Sequence, residues 1–116
     1  KLGSGRIVNI KPGRVGGLGV SSRIHDTMVA AGLPVWCGGM LESGVGRAHN
    51  LALASLPGFT LPGDISASQR YWDQDIVTPE FVVSDGVMQV PTGVGLGIEL
   101  DLDRIQGLTV REAEFR

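Results

Sequence analysis

Short apolar runs that end in glycine or proline alternate with longer stretches in which apolar residues recur every three or four positions. The short runs predict three strands at residues 7–11, 34–37 and 59–61. The longer stretches predict two helices at residues 18–31 and 45–56, because apolar residues at that spacing share one helix face. The first half of the chain is therefore predicted to alternate strand and helix.

This alternation predicts the fold class. Helices placed between strands imply parallel strands joined by right-handed crossovers, as in α/β proteins. The repeat of about 25 residues per βα unit favours a (β/α)₈ barrel over an elaborated open sheet. Such a barrel needs about 250 residues, so a chain of 116 residues could supply only about three of its eight strands. The expected architecture is a portion of a barrel.

The pattern changes after residue 65, where polar residues and turn signals become frequent. Residues 66–73, which include two adjacent aromatic residues, are predicted to form a last barrel helix. Residues 81–90 predict a β-hairpin, since apolar residues flank the turn signal Asp85-Gly86. Residues 98–116 have a weaker pattern, which predicts a short helix and a final strand.

The amino-acid composition limits which binding partners and which cellular compartment are expected for the protein. The net charge of −2 comes without a basic run, and aromatic residues make up only 5%, so nucleic acid and anionic membranes are not expected partners. The single cysteine, Cys37, excludes an internal disulfide and favours a reducing, cytoplasmic setting. No apolar stretch approaches the ~18 residues of a membrane span.

The first five residues resemble the end of a helix with its glycine stop, and no methionine precedes them. This predicts that the chain is part of a longer protein whose preceding helix is absent. The alternative is a processed or tagged N-terminus, because such scars resemble Gly-Ser linkers.

Lys11 is the strongest candidate for a chemical group. Ten residues are basic, but only Lys1 and Lys11 are lysines, and Lys11 stands where a predicted buried strand ends. Lysine can be tuned to exchange a proton, whereas arginine stays charged. Because the carboxyl ends of barrel strands form the catalytic face, this position indicates function. The alternative is a structural ion pair with a neighbouring acid.

The second predicted strand ends at Gly38 and Gly39, just before a helix for which Ser43 is a plausible N-cap. Glycines there would let a ligand approach backbone N–H groups, and a helix N-terminus favours an anion. A carboxylate-binding loop is one interpretation, and tight strand-to-helix packing is the other. Glu42 could be an acid, an electrostatic partner or a charge at the start of the helix.

Other polar or reactive groups favour structural roles. The spaced glycines at 93, 95 and 97 follow a hairpin and lack a nearby P-loop lysine, so a turn is favoured over a phosphate loop. The remaining candidates show neither metal-ligand spacing nor a catalytic relay, and Cys37 is expected to be inert core packing. These candidates are His25, His49, Asp64, Asp73 and Asp75.

Four ordered segments resemble the muconate-lactonizing subgroup of the enolase superfamily, in particular the o-succinylbenzoate synthases that double as N-acylamino acid racemases. The segments are residues 8–17 (VNIKPGRVGG), 35–44 (VWCGGMLESG), 61–68 (LPGDISAS) and 91–97 (PTGVGLG). The resemblance implies the C-terminal third of a (β/α)₇β barrel protein. Residues 1–75 would carry the last βα units, and residues 76–116 would return to an α+β capping domain.

The resemblance also implies a site and a reaction. Lys11 would be the second catalytic lysine, and Gly39, Met40 and Leu41 would lie against the succinyl side chain of a small carboxylate substrate, with backbone N–H groups available to its carboxylate. The first lysine and the three carboxylates that bind Mg²⁺ would precede this chain, so the chain is expected to supply no metal ligand and to be inactive alone. A homo-oligomer is expected.

Three functions remain open at this point. The first is Mg-dependent dehydration through a stabilised enolate, as in the o-succinylbenzoate synthases of menaquinone biosynthesis. The second is N-succinylamino acid racemisation, since both activities share every motif quoted above. The third is a non-catalytic segment that folds only with its N-terminal complement.

Overall fold

Two parallel strands and the helices that follow them form the first half of the molecule. The computed structural model describes residues 3–115, so Lys1 and Leu2 of the predicted helix end lie outside the described residues. Strand β1 (Val8–Ile10) pairs in parallel with β2 (Val35–Cys37). This pairing confirms the parallel α/β arrangement predicted from the alternation of strands and helices.

Three helices follow these strands. The four-residue α1 (Pro12–Val15) begins at a proline, which suits the first helical position because its missing N–H has no intrahelical partner there. It was not anticipated as an element separate from α2 (Leu18–Ala30). Helix α3 (Gly44–Ala54) follows β2. Helix α2 lies within the predicted range of 18–31, whereas α3 begins one residue before the predicted range of 45–56 and ends two residues before its end.

The core has two parts that meet at α3. One part consists of buried residues from β1, β2 and the end of α3, namely Ile10, Val35, Cys37 and Leu53. The other joins α3 to the second half of the chain through Ala48, Leu51, Val77 and Phe81. Helix α3 therefore holds the strand layer on one side and the C-terminal segments on the other.

The predicted third strand at residues 59–61 is wrong. The backbone N–H groups of Phe59 and Thr60 donate to the carbonyl groups of Leu56 and Gly58, which closes local turns instead of a strand ladder. The chain still returns alongside β2 a few residues later. A Cβ added to Gly63 would lie only 2.8 Å from the carbonyl oxygen of Cys37, so a glycine is needed for this close approach.

The second half contains little regular structure. Strand β3 (Val77–Thr78) pairs antiparallel with β4 (Glu99–Leu100), and α4 (Leu102–Leu108) follows. The predicted barrel helix at 66–73 is a single 3₁₀ turn, Ser68–Arg70. The predicted final strand is also wrong in position, since the strand of this region precedes α4.

The predicted hairpin is present at its turn but not along its arms. Asp85 and Gly86 have φ values of 50° and 77°, the left-handed conformation that a tight hairpin turn requires. Only one bridge, between Ser84 and Val87, forms beside this turn. Within residues 3–115, no helix is both long and apolar enough to cross a bilayer.

Candidate active site

Lys11 lies immediately after β1, and Gly38 and Gly39 lie immediately after β2, so the ends of the two parallel strands bring them together. The Nζ of Lys11 donates a hydrogen bond of 2.5 Å to the carbonyl oxygen of Gly39. Lys11 is half-buried, and no ion pair among the described residues involves it. The structural ion pair considered as an alternative for Lys11 is therefore not formed with residues 3–115.

Gly38 provides the room for this arrangement. A Cβ added at Gly38 would lie 2.8 Å from Cε of Lys11 and would overlap the side chain of Asn9. Any other residue there would push the lysine stem or the Asn9 amide aside. The glycine at the end of β2 thus lets the ends of the Asn9 and Lys11 side chains keep their present positions.

The backbone N–H groups of the 38–41 loop are bound by the protein's own carboxylates. Gly39 donates to Oδ1 of Asp64 at 2.5 Å. Met40 donates to both carboxylate oxygens of Glu42, at 2.8 and 2.7 Å. A substrate carboxylate could use these two amides only by replacing the carboxylates of Asp64 and Glu42 that accept from them here.

Glu42 acts here as the acceptor that folds the loop. Besides the Met40 amide, its carboxylate accepts a hydrogen bond of 2.9 Å from Nδ2 of Asn50 on α3. Ser43 occupies the N-cap position of α3 but makes no side-chain cap hydrogen bond. Instead, Asp75 accepts from the Gly44 amide at 2.8 Å, so the helix start is capped by a residue 31 positions away.

Met40 and Leu41 present their side chains to solvent, with 40% and 72% of their surface exposed. They line one wall of an apolar cavity of about 520 Å³. Pro12 and Gly13 of α1, with Asn50 of α3, form part of the rest of its wall. Lys11 and Gly39 do not line this cavity, which lies beside the lysine.

A buried ion pair between Arg47 and Asp75 is linked to the 38–42 loop. Nη1 of Arg47 lies 3.2 Å from Oδ2 of Asp75, and both side chains are 1% exposed. Ser68 donates to the same carboxylate oxygen at 2.6 Å. The second guanidinium nitrogen of Arg47, Nη2, donates to the backbone carbonyl of Glu42 at 3.1 Å. The cluster of Arg47, Ser68 and Asp75 therefore joins α3 and the 68–75 segment to the loop.

The pKa of Asp75 is set by opposing influences. Burial raises it, but hydrogen bonds from Ser68, Gly44 and Ile76 and the charge of Arg47 outweigh burial and hold the pKa below its usual value of 3.8. Sequence reasoning missed this cluster. A signal was available in Arg47, which lies next to Ala48 and four residues before Leu51, on the apolar face of α3.

Cys37 is a core residue, as expected. It is 2% exposed, and its thiol contacts the carbonyl oxygen of Asn50 at 3.6 Å. Burial, followed by the charges of Glu42 and Asp64, raises the pKa of its thiol to about 12, and the charge of Lys11 acts against them. The thiol is thus protonated at neutral pH and unsuited to nucleophilic chemistry.

Both histidines have packing roles. His25 is 6% exposed, stacks on Phe59 with ring centroids 5.3 Å apart and accepts at Nε2 from the Gly58 amide. Nδ1 of His49 lies 2.9 Å from the carbonyl oxygen of Val45 within α3. Residues 3–115 contain no group of three or more His, Cys, Asp or Glu side chains that could hold a metal ion. The described residues thus do not fit a metal centre.

Comparison with known proteins identifies the family. Residues 1–104 match the model of the enolase C-terminal domain-like family. The chain belongs to this family. The assignment agrees with the parallel βα units and with a charged residue at a strand end.

Curated relatives indicate the branch of the family. The chain is 54% identical over 110 residues to the N-succinylamino acid racemase of Thermus thermophilus, covering 95% of this chain and 30% of that protein. It is 56% identical over 108 residues to the o-succinylbenzoate synthase of Geobacillus stearothermophilus, covering 93% and 29%. The chain therefore spans about 30% of the length of the curated relatives it matches.

Solved structures share the fold. A crystal structure of an enolase superfamily member from Listeria innocua matches with a TM-score of 0.85 and 50% identity, covering 90% of this chain and 28% of that one. A dipeptide epimerase from Cytophaga hutchinsonii, complexed with Mg and the dipeptide D-Ala-L-Val, matches with a TM-score of 0.78 and 26% identity over 90% of this chain and 28% of that one. The α/β fold expected for part of an enolase-type barrel is confirmed.

Proposed function

We propose that the intact protein is an o-succinylbenzoate synthase and that this chain supplies its second catalytic lysine, Lys11. The relatives named as synthases, at 49–56% identity, support the activity. The observation that carries the role of Lys11 is its position at the end of β1, where its amine meets a neutral carbonyl group instead of a carboxylate. Such a lysine has no carboxylate partner among residues 3–115 and can face a negative charge that develops on a substrate.

In the dehydration, a base outside this chain removes the proton next to the substrate carboxylate. Negative charge then develops on the resulting enolate, and the ammonium group of Lys11 stabilises that charge. The electron pair of the enolate expels the substrate hydroxyl, which leaves as water with the help of a proton. Lys11 acts in this proposal as an electrostatic group and does not itself remove the α-proton.

Racemisation of N-succinylamino acids is the second candidate. It is favoured by relatives named N-succinylamino acid racemase at 54% and 63% identity. In this reaction Lys11 exchanges the α-proton on one face of the carbon, and a lysine outside the chain exchanges it on the opposite face. Gly39, Met40 and Leu41 would contact the succinyl group in either reaction.

We place the remaining parts of the reaction outside this chain. Mg²⁺ would be held by residues that the longer relatives possess, since residues 3–115 offer no metal cluster and the epimerase structure contains Mg. Residues 76–116 would join a capping domain, and the apolar residues that they expose support this assignment. We further propose a cytoplasmic enzyme that acts as a homo-oligomer on small carboxylates.

A side-by-side assay of the full-length protein tests the proposal. We expect Mg-dependent formation of o-succinylbenzoate and measurable racemisation of an N-succinylamino acid by the same preparation. The 116-residue chain alone serves as the control and is expected to show neither activity. Turnover by this chain alone would contradict the assignment of the base and metal to residues outside it. The absence of both activities from the full-length protein would favour a non-catalytic role.

A further inference from the structure

Gly39 is held from both sides of its backbone. Its carbonyl oxygen accepts from Nζ of Lys11 at 2.5 Å, and its N–H donates to Oδ1 of Asp64 at 2.5 Å. Both are short, charge-assisted hydrogen bonds, which are about twice as strong as neutral ones. One residue of the loop therefore connects the lysine cation to a carboxylate that lies 53 positions later in the chain.

The chain is built to bring Asp64 to this place. A Cβ at Gly63 would lie 2.8 Å from the carbonyl oxygen of Cys37, and a Cβ at Gly39 would lie 3.1 Å from that of Asp64. A side chain at position 63 would therefore clash with the backbone, and one at position 39 would push the Asp64 carbonyl group back by a few tenths of an ångström. The two glycines let the segment that carries Asp64 lie against the end of β2.

Asp64 acts on the lysine through the peptide and not by direct contact. Among the described residues no ion pair joins Asp64 to Lys11, although both charges influence the thiol of Cys37 between them. A direct pair would hold the ammonium group against the carboxylate. Contact with the Gly39 carbonyl instead directs the amine toward a neutral group.

We propose that Asp64 is a positioning residue for Lys11: its carboxylate fixes the orientation of Gly39, whose carbonyl group holds Nζ of the lysine. The inference rests on the proposed role of Lys11 and extends it to a residue that does not itself exchange a proton. Without the acceptor at position 64, the end of the loop could rotate and the amine would lose its direction. Misplacement of a reacting group by about 1 Å can lower a rate about 10²-fold.

The test uses the full-length protein and measures α-proton exchange in D₂O, starting separately from each enantiomer of an N-succinylamino acid. We expect Asp64→Ala to lower exchange on the Lys11 face about 10²-fold, with little change on the opposite face. Asp64→Asn keeps an oxygen acceptor for the Gly39 amide and should retain exchange within a few-fold. Asp73→Ala, at an exposed aspartate that the site does not use, is the matched control and should leave both faces unchanged.

Comparison with Lys11→Ala separates the two proposals. If Lys11→Ala abolishes exchange on one face but Asp64→Ala leaves it intact, the positioning role is wrong and the role of Lys11 stands. An equal loss on both faces in Asp64→Ala would likewise overturn positioning, because a general structural defect does not select one face. If Lys11→Ala itself changes neither face, the proposed function of Lys11 fails.

A second measurement covers the case in which Asp64→Ala does not fold. In the wild-type protein labelled with ¹⁵N-glycine and ¹⁵N-lysine, we expect the Gly39 amide proton to resonate far downfield and to shift as Asp64 is protonated. The Nζ resonance of Lys11 should shift over the same pH range. A Gly39 amide that moves without any response at Lys11 would contradict the proposal.

Discussion

The strand-end site around Lys11 and the buried cluster around Arg47 use a basic residue in opposite ways. At the strand ends, the half-buried ammonium group of Lys11 donates to the neutral carbonyl of Gly39. The Asp64 carboxylate does not contact the lysine but accepts from the N–H of Gly39. In the cluster, the guanidinium group contacts Asp75 directly at 3.2 Å, and both side chains are 1% exposed. The first arrangement leaves the cation without a charged partner among the described residues, whereas the second pairs two buried charges directly.

The difference separates the cation that we propose as functional from a structural one. A buried ion pair pays a desolvation penalty and becomes strongly destabilising when one partner is removed, so it fixes the packing around it. An arginine suits that role because it stays protonated and offers several donors in a rigid plane. A lysine held by a carbonyl group has no charged partner whose burial depends on it. Its removal should therefore affect chemistry more than folding.

The two regions are nevertheless connected through Glu42. Its backbone carbonyl accepts from Arg47 at 3.1 Å and from Nε1 of Trp72 at 3.3 Å, while its carboxylate accepts from the Met40 amide. The structural cluster thus supports the loop that faces the proposed substrate. Substitutions can test whether the division between chemistry and folding holds across this connection.

The largest effect is expected for Lys11→Ala in the full-length protein. Removal of one face-specific acid/base group should lower racemisation by about 10²–10⁴-fold. Stability should change little, because no buried charge is left without its partner. Exchange of the α-proton in D₂O measures the activity, and urea unfolding measures the stability.

Lys11→Arg is the matched variant for this prediction, since it keeps the positive charge but cannot serve as a base near neutral pH. We expect it to retain more of the dehydration, in which the charge stabilises an enolate, than of the racemisation. Near-normal exchange of the α-proton from both faces in Lys11→Ala would show that Lys11 does not take part in proton exchange. A large loss of stability in Lys11→Ala would show that Lys11, like Arg47, is needed for folding.

Arg47→Ala should lower stability more than activity, which is the opposite of what we expect for Lys11→Ala. Its removal leaves the carboxylate of Asp75 buried without its charged partner, which should lower the free energy of unfolding by about 3–5 kcal/mol. Urea unfolding of the full-length protein measures this loss. The double variant Arg47→Ala with Asp75→Ala should be less destabilised than the sum of the two single variants, because neither charge is then isolated. Additive effects would show that the pair is not coupled.

Local sequence patterns predicted the positions of the residues at the strand-end site around Lys11. The β-branched run before Lys11 and the glycines after Cys37 are local signals that extend over only a few residues. They were sufficient to predict that Lys11 and Gly38 lie at strand ends. The same reasoning failed for residues 59–61, whose amide groups form local turns. An apolar triplet satisfies a strand pattern equally well whether or not a partner edge accepts its hydrogen bonds.

Long-range pairings could not be predicted in this way. Asp75 lies 28 residues from Arg47, and Asp64 lies 25 residues from Gly39. No period or turn signal connects positions so far apart, so the sequence offers metal binding as the one role for Asp64 and Asp75, and their spacing does not support it. Their use as acceptors for backbone amides became visible only when the fold brought the segments together.

The smallest expected effect is a difference in acid sensitivity between the two regions. Hydrogen bonds and the charge of Arg47 hold the pKa of Asp75 below its unfolded-state value of about 3.9, so the folded protein binds fewer protons in that range than the unfolded chain. The stabilisation is fully present above about pH 5 and is lost as the pH falls through the folded-state pKa.

Asp75→Asn cannot be protonated in this range. The variant should therefore be less stable than wild type at pH 7, but its stability should decline less steeply between about pH 5 and pH 3. Urea unfolding at a series of pH values measures both slopes. Lys11→Ala is the comparison variant and should keep the wild-type slope, because this substitution leaves Asp75 and its hydrogen bonds in place. A wild-type slope in Asp75→Asn would mean that other carboxylates control acid unfolding, and that Asp75 stabilises the fold through its hydrogen bonds rather than through its charge.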